Sequence, residues 1–254
     1  MRAVRSLWWR EIVRFLRQPS RVVGALGQPI VFWLLLGGGL APSFRPPGAS
    51  GDTSYLEYMY PGIVALVLLF TAIFSTIATV EDRRAGFLQG VLVAPIGRSS
   101  IVLGQALGGT TLAVLQGLFL LPLAPLAGLA LTGGKVVAAT ATMGLVAFGL
   151  VNLGLVIAWR MESTQGFHAI MNLLLIPMWL LSGAFFPSAD LPTPLSVIMR
   201  LDPLTYGVAA LRTCLVGTPP AGGPGLAVSL LAVVLFGAGA LLAATAAARR
   251  ARVL

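Results

Sequence analysis

The sequence predicts an all-helical protein that crosses a membrane six times, and three observations lead to this prediction. Apolar residues make up 57% of the 254 positions, and charged residues only 10%. The mean hydropathy of +0.92 lies well above that of soluble domains. Six apolar runs contain no Asp, Glu, Lys, Arg or His, and each is long enough to cross a hydrocarbon core of about 30 Å. These runs are residues 22–40, 61–80, 100–123, 136–159, 169–186 and 225–248.

The charged residues lie between or beyond these runs and predict the orientation. With six crossings, thirteen of the seventeen Lys and Arg residues fall on one side and four on the other, while the eight acidic residues divide equally. Because positive charge accumulates in cytoplasmic loops, both termini are expected in the cytoplasm, with the chain in the inner (cytoplasmic) membrane. The net charge of +9 then reflects topology and attraction to anionic lipids, and no nucleic-acid binding is expected.

Residues 1–21 predict an amphipathic helix in the plane of the membrane interface. At 100° per residue, four arginines form one narrow stripe, and apolar residues such as Leu7 and Trp8 group on the other side. The stripe consists of Arg10, Arg14, Arg17 and Arg21. The helix could anchor the first span or bind a partner protein, and the pattern favours neither.

Residues 81–98, between the second and third runs, predict a short amphipathic helix in the cytoplasm. Drawn as a helix from Glu81 to Val93, the segment gathers its apolar side chains on one face, and Pro95 ends it. Such a helix could transmit movement from the cytoplasm to the membrane-spanning helices. The alternative is a solvated cluster of charged residues at the end of a helix. The candidate coupling residues are Glu81, Asp82, Arg83, Arg84, Gly86, Phe87, Leu88, Leu92, Pro95 and Arg98.

Residues 187–212 contain four prolines and therefore predict two short, broken helices that partly re-enter the outer leaflet. Four charges lie in or beside this outer hairpin and are expected to pair with one another. They are Asp190, Arg200, Asp202 and Arg212.

Two stretches resemble the permeases of type-2 ABC exporters. Residues 81–105 contain the acidic and basic opening, the glycine and the Ala-Pro-x-x-Arg element of the cytosolic loop in that family. Residues 182–187, 191–192 and 201–212, which include Leu-Asp-Pro-Leu-Thr-Tyr-Gly, resemble its outer hairpin. The chain departs from the family at Gln89, where many members have an acid, and at Asp202, where Asn is common.

The resemblance implies that residues 1–254 form one permease domain, which works as a homodimer with two copies of a separate cytosolic ABC ATPase. ATP and Mg²⁺ would then be bound by the ATPase. The chain itself has no G-x-x-x-x-G-K-[ST] loop for phosphates, because its only lysine, Lys135, lacks the required glycine and hydroxyl neighbours. We therefore expect a transport component that is not an enzyme.

The spans predict the kind of cargo. Because they contain no charged residue, we expect export of an amphipathic or lipid-linked substrate from the cytoplasm or the inner leaflet. The alternative is an ion-coupled secondary transporter or channel, but such proteins usually place ionisable groups inside the membrane. The strongest polar groups in the spans are Gln105, Gln116, Asn152 and Asn172, for which interhelical hydrogen bonds are expected.

Two other patterns carry little information. The spacing Gly104-x-x-x-Gly108 neither supports nor excludes helix dimerisation, since 30 glycines produce such spacings by chance. The chain offers no clear catalytic or metal-binding constellation: its lone His168 lies at the edge of a span, and the adjacent Glu81 and Asp82 point about 100° apart on a helix.

Overall fold

The computed structural model describes residues 2–17, 54–88, 90, 96–185, 192–220 and 222–250, together with isolated positions between 23 and 39. The described part of the chain consists of helices joined by short loops and contains no strand, as the sequence predicts. Its helices are α1 (Arg2–Leu16), α2 (Tyr55–Ser75), α3 (Ile77–Arg84), α4 (Arg98–Leu120), α5 (Gly133–Ala158), α6 (Thr164–Trp179), α7 (Thr193–Leu201), α8 (Pro203–Val216) and α9 (Leu226–Arg250). A 3-10 segment, Leu121–Ala127, follows α4, and a π-helical turn, Leu180–Ala184, follows α6.

Five segments of the described chain are long and apolar enough to cross a membrane. They are Tyr55–Arg84, Arg98–Ala127, Gly133–Ala158, Thr164–Ala184 and Leu226–Arg250. These correspond in order to the second to sixth predicted spans. The first predicted span, residues 22–40, lies outside the described residues apart from isolated helical positions.

Helix α2 lies at the centre of the bundle. From Met59 to Leu69 its apolar side chains are at most 3% exposed, and the helix contacts α4, α5, α6 and α8. A helix that is apolar on all sides is stable only when it is surrounded by other helices or by lipid. Helix α9, which packs on α5 and α8, keeps large side chains such as Leu235 and Leu242 exposed on its far side.

Short polar side chains begin several of these helices. Ser54, Ser163 and Asp202 accept hydrogen bonds from backbone N–H groups in the first turns of α2, α6 and α8, respectively. These bonds satisfy donors that have no partner within the helix. They fix where each of these helices starts.

Contacts between helix ends define two ends of the bundle. At the hairpin end, which holds α7, α8 and the starts of α2, α5 and α9, the Tyr60 hydroxyl donates to the Leu120 carbonyl at 2.6 Å. There the Trp179 indole also donates to the Gly62 carbonyl at 2.9 Å. The opposite end, which holds α1, α3, the starts of α4 and α6 and the last turns of α5 and α9, is the charged end.

The predicted single helix from Glu81 to Val93 is wrong. Helix α3 ends at Arg84, and Gly86 has a φ of +74°, a conformation that residues with a Cβ rarely adopt. Glu81 and Asp82 therefore belong to the last turn of the second span. Residues 91–95 lie outside the described residues.

The two short helices predicted for residues 187–212 correspond to α7 and α8. Asp202 separates them, because its side chain caps α8 and Pro203 occupies the first helical position of α8. Re-entry of this hairpin into the membrane stays a prediction. The expected pairing of hairpin charges is wrong for the described residues: Arg200, Asp202 and Arg212 form no ion pair with one another, and Asp190 lies outside the described residues.

Candidate functional site

The charged end joins α1 to α3 through four side chains, which we call the α1–α3 clamp: Arg10, Arg14, Glu81 and Asp82. The two terminal nitrogens of Arg10 donate to the two Asp82 oxygens at 2.7 and 2.8 Å. Arg14 donates to Asp82 Oδ1 at 2.9 Å and to Glu81 Oε2 at 2.5 Å. One carboxylate thus holds two arginines that lie one turn apart on α1.

Burial makes the clamp stronger than an ordinary surface ion pair. The Asp82 side chain is only 6% exposed, whereas the side chains of Arg10 and Arg14 are 31% and 24% exposed. The hydrogen bond to Asp82 raises the pKa of Arg10 above its ordinary value, although burial opposes this shift. Hydrogen bonds to charged groups contribute roughly 1.5–3 kcal/mol each, but removal of one partner leaves a buried charge unpaired and costs about 3–5 kcal/mol.

Close packing of α1 against α4 aligns the arginines with Asp82. A Cβ at Gly104 would lie 2.8 Å from the Leu7 Cβ, and a Cβ at Gly108 would lie 2.7 Å from the Glu11 Cβ. Only hydrogen at these two positions lets the helices approach this closely. The Gly104-x-x-x-Gly108 spacing therefore has a definite role within one chain, which sequence reasoning missed.

Two further contacts fix α1 on α4. The Trp8 indole donates to the Thr111 hydroxyl at 3.0 Å, and Glu11 is buried at 8% exposure beside Arg10, whose Nη1 lies 3.2 Å from its Oε1. Burial raises the pKa of Glu11, and the nearby Arg10 charge opposes this shift. The apolar side of α1 thus faces α4, and α1 is a packed part of the bundle at this end.

Two arginines, one in the last turn of the second span and one at the start of the third, bind helix ends elsewhere in the bundle. Arg83 Nη1 donates to the Trp159 carbonyl at 2.8 Å, where α5 ends. Arg98 Nη1 donates to the Ala248 carbonyl at 2.6 Å, in the last turn of α9. The last carbonyls of a helix have no intrahelical partner and carry partial negative charge, so a guanidinium is a suitable cap. The segment from 81 to 98 is therefore tied to α1, α5 and α9.

The structure divides the apolar face that the sequence predicts for residues 81–93. Leu88 is 2% exposed and belongs to the core of the bundle, so its predicted place on the face of a separate cytoplasmic helix is wrong. Phe87 is 41% exposed, and the Arg10 guanidinium carbon lies 3.9 Å from the centre of its ring. Arg84 is exposed beside it. Among the other predicted residues, Leu92, Pro95 and Arg21 lie outside the described residues, and Arg17 is exposed one turn beyond Arg14.

One of the four polar groups of the spans forms the predicted interhelical hydrogen bond. Gln116 accepts a hydrogen bond from the Thr71 hydroxyl, which joins α4 to α2 as predicted. Asn152 donates to the Phe148 carbonyl of its own helix at 2.8 Å instead. Gln105 is buried and lines a small polar cavity with Glu11 at the charged end, and Asn172 is exposed.

The part of the chain that the structure describes contains five membrane-length helices with charged residues at their ends, which is typical of a multi-pass membrane protein. Comparison with known proteins assigns it to a family. The model of the ABC-2 type transporter family matches residues 2–216. The chain belongs to this family and is a membrane permease of the ABC exporter type, whose members are transport components that work with an ABC ATPase subunit.

Curated relatives agree with this assignment at low identity. The transport permease ycf38 of Cyanophora paradoxa is 26% identical over 205 residues, which cover 80% of this chain and 70% of the relative. Nodulation protein J of Rhizobium leguminosarum bv. trifolii is 27% identical over 218 residues, covering 84% of this chain and 81% of the relative. Nodulation protein J of Sinorhizobium fredii is 25% identical over 236 residues, which cover 91% of this chain and 87% of the relative.

Proposed function

We propose that two copies of this chain and two cytosolic ABC ATPases form an exporter that moves an amphipathic or lipid-linked substrate out of the cytoplasm or the inner leaflet. ATP and Mg²⁺ bind to the ATPases, and the permease supplies the path. The family supports the ATPase partnership. The charged residues of the described spans lie only in their first or last turns. The uncharged middle parts of these spans support the amphipathic cargo, because a wholly polar solute needs a polar path through about 30 Å of hydrocarbon.

In this proposal the charged end faces the cytoplasm and the chain lies in the inner membrane. Thirteen of the seventeen basic residues belong to segments assigned to this side, which agrees with the positive-inside bias. Both termini are then cytoplasmic, and the hairpin end faces outward.

The observation that carries the proposal is the set of ties between residues 81–98 and three separate helices. A partner ATPase can move the spans only through a contact whose free energy differs between its nucleotide states. The ATPase would contact the exposed Arg84 and Phe87, with Leu92 and Pro95 beside them in sequence. A movement of residues 81–98 would then be transmitted to α1 through the clamp, and to α5 and α9 through Arg83 and Arg98.

Reconstitution with the partner ATPase tests this coupling route. Phe87→Asp places a carboxylate on the exposed apolar surface, and we expect it to abolish co-purification of the ATPase and cargo-stimulated ATP hydrolysis. The permease itself should stay folded, because Phe87 is already 41% exposed. Gln165→Glu, which adds one negative charge at an exposed position of the same end in α6, is the matched control and should assemble normally. Normal assembly and transport by Phe87→Asp would place the coupling contact elsewhere.

A further inference from the structure

The hairpin end buries a cation that has no ion partner among the described residues. Arg212, in α8, is 6% exposed. Its Nη2 donates to the Gly183 carbonyl at 3.2 Å, and its guanidinium carbon lies 3.8 Å from the centre of the Tyr58 ring. Its Nε is fully buried and has no hydrogen-bond partner.

The neighbouring acceptors are too few for this guanidinium. Arginine carries five N–H donors, and a carbonyl oxygen has two lone pairs. The Gly183 carbonyl already accepts from the Tyr58 hydroxyl at 3.4 Å as well as from Arg212. The Tyr58 hydroxyl is a further hydrogen-bond partner of the guanidinium, whereas the ring face attracts its positive charge but accepts no strong hydrogen bond. The geometry therefore leaves part of the guanidinium available for another acceptor.

A small cavity of about 20 Å³, partly open to solvent, lies beside the guanidinium. Arg212 lines it together with Tyr58, Ser182, Thr205, Pro220 and Gly223. Gly183 has a φ of +80°, which lets the chain turn at the end of the fifth span and directs its carbonyl toward Arg212. The cavity has room for about one water-sized atom, such as one oxygen of an anionic group, beside the cation.

The acid of the hairpin that the structure describes does not neutralise Arg212. One Asp202 oxygen accepts the backbone N–H of Leu204 at 2.8 Å, and the other is buried without a partner. Burial raises the pKa of Asp202 to about 7, so this carboxyl carries at most part of a charge near neutral pH. A buried guanidinium without a counter-charge is costly, and an anion that enters the cavity would relieve this cost.

We propose that the mouth of this cavity binds the anionic headgroup of an amphiphile, either a carboxylate or a phosphate, with one headgroup oxygen in the cavity and Arg212 as its cationic partner. The apolar part of the amphiphile extends into the surrounding lipid. Both the exported substrate and a resident anionic lipid could supply this chemistry. The binding stands apart from transport, and only the assignment of the amphiphile as cargo rests on the proposed function.

Binding to the purified permease in dodecyl maltoside tests the site. Dodecyl phosphate and dodecanoate are titrated while binding heat and the midpoint of thermal unfolding are measured, with uncharged dodecanol as the control probe. We expect saturable binding of the two anions, with a rise in the unfolding midpoint, and none with dodecanol. Inorganic phosphate should bind more weakly than dodecyl phosphate, because it lacks the apolar chain.

Variants at Arg212 separate this site from general detergent effects. Arg212→Gln should weaken the binding of dodecyl phosphate at least about tenfold, since it removes a charge-assisted hydrogen bond. Arg212→Lys keeps the charge but loses the planar fork, and an intermediate loss is expected. Arg200→Gln removes an exposed cation from the same hairpin and is the matched control, with unchanged affinity.

Three results would overturn the proposal: equal binding of dodecanol and dodecyl phosphate, full affinity in a folded Arg212→Gln variant, or binding by the permease only after Asp190→Asn. The last result would mean that the chain supplies its own counter-ion. The first comparison uses only the unmodified chain and does not depend on the folding of any variant.

The source of the anion is identified in liposomes that contain the ATPase complex. ATP-dependent export of dodecyl phosphate would identify cargo, whereas an anionic phospholipid that co-purifies with the chain and stays bound during turnover would identify a resident lipid. Both results support the site. Saturable, Arg212-dependent binding without any export by the complex would contradict the proposed function and leave the site intact.

Discussion

The two ends of the bundle bury charge in opposite ways. At the charged end, Asp82 is nearly inaccessible and binds two arginines, so its charge is balanced within the chain. At the hairpin end, Asp202 and Arg212 are buried without any described ion pair. Paired charges can fasten helices together, because breaking them leaves a buried charge behind. Unpaired charges keep their capacity to bind an external group.

The same difference appears in the arginines. Arg83 and Arg98 satisfy the last carbonyls of α5 and α9, so each joins one element to another. Arg212 shares one carbonyl with Tyr58 and leaves its Nε without a partner. The two ends thus differ in whether their buried charges are paired, and the following substitutions test this difference.

The largest effect is expected from Leu88→Asp at the charged end. Leu88 is 2% exposed in the core, so a carboxylate there would be buried without a partner and should lower the stability of the permease by at least about 3 kcal/mol. Phe87→Asp, one residue earlier and exposed, should leave the midpoint of thermal unfolding in detergent nearly unchanged. Equal midpoints for the two variants would show that Leu88 is not part of the core.

The next effect tests the α1–α3 clamp with a double-mutant cycle on Arg10→Ala and Asp82→Ala. Because both side chains share two short hydrogen bonds, we expect a coupling energy of about 1–3 kcal/mol from thermal unfolding of the three variants and the parent. The partial exposure of Arg10 keeps the value below that of a fully buried pair.

The control for this cycle pairs Arg17→Ala with Asp82→Ala, since Arg17 is exposed one turn beyond Arg14. Its coupling energy should be near zero. Purely additive effects of Arg10→Ala and Asp82→Ala would mean that the clamp does not fasten α1 to α3.

At the hairpin end, Asp202 should make stability depend on pH. Its pKa is raised from 3.8 to about 7 in the folded chain, so the folded state binds more protons than the unfolded state between about pH 4 and pH 7. Stability should therefore fall as the pH rises through this window and level off above it. Asp202→Asn keeps an oxygen to cap α8 and removes the titration.

The measurement is the midpoint of thermal unfolding of the parent protein and of Asp202→Asn at pH values from 4.5 to 8. All other titratable groups are the same in the two proteins, so the difference between the two midpoints reports on Asp202. We expect Asp202→Asn to be the more stable protein at pH 8 by roughly 1–3 kcal/mol, with the difference shrinking toward pH 4.5. A difference that does not change with pH would mean that Asp202 ionises normally.

The smallest effect concerns the contact between α1 and α4. Gly108→Ala would place a methyl group 2.7 Å from the Glu11 Cβ, so we expect a loss of about 1–2 kcal/mol as α1 shifts away from α4. Gly144→Ala in α5 is the matched control, because a Cβ there meets nothing within 4 Å. It should be neutral or stabilising by up to about 1 kcal/mol. Loss of ATPase co-purification in Gly108→Ala alone would link the position of α1 to coupling.

The spans were predictable because each is a continuous apolar stretch of membrane length, a property of neighbouring residues that needs no knowledge of the fold. Five of the six predicted runs correspond to helices of the described chain, and the break at Asp202 followed from the prolines around it. The family was also readable from the sequence, since its motifs occur in order and at regular spacing over residues 81–105 and 182–212. Amphipathicity likewise predicted α1 as a helix.

Only the tertiary structure decided which charges and glycines act together. Arg10 and Asp82 lie 72 positions apart, and Arg98 and Ala248 lie 150 apart, so no local pattern reveals these partners. The Gly104–Gly108 spacing matters because α1 packs directly against it. Leu88 points into the core because the helix is interrupted at Gly86. Hydropathy shows whether a segment is more stable in lipid or in water. Hydrogen bonds and close contacts depend instead on which segments pack against each other. The sequence therefore determined the membrane-spanning helices and the family, and packing decided which buried charges are paired and which stay unpaired.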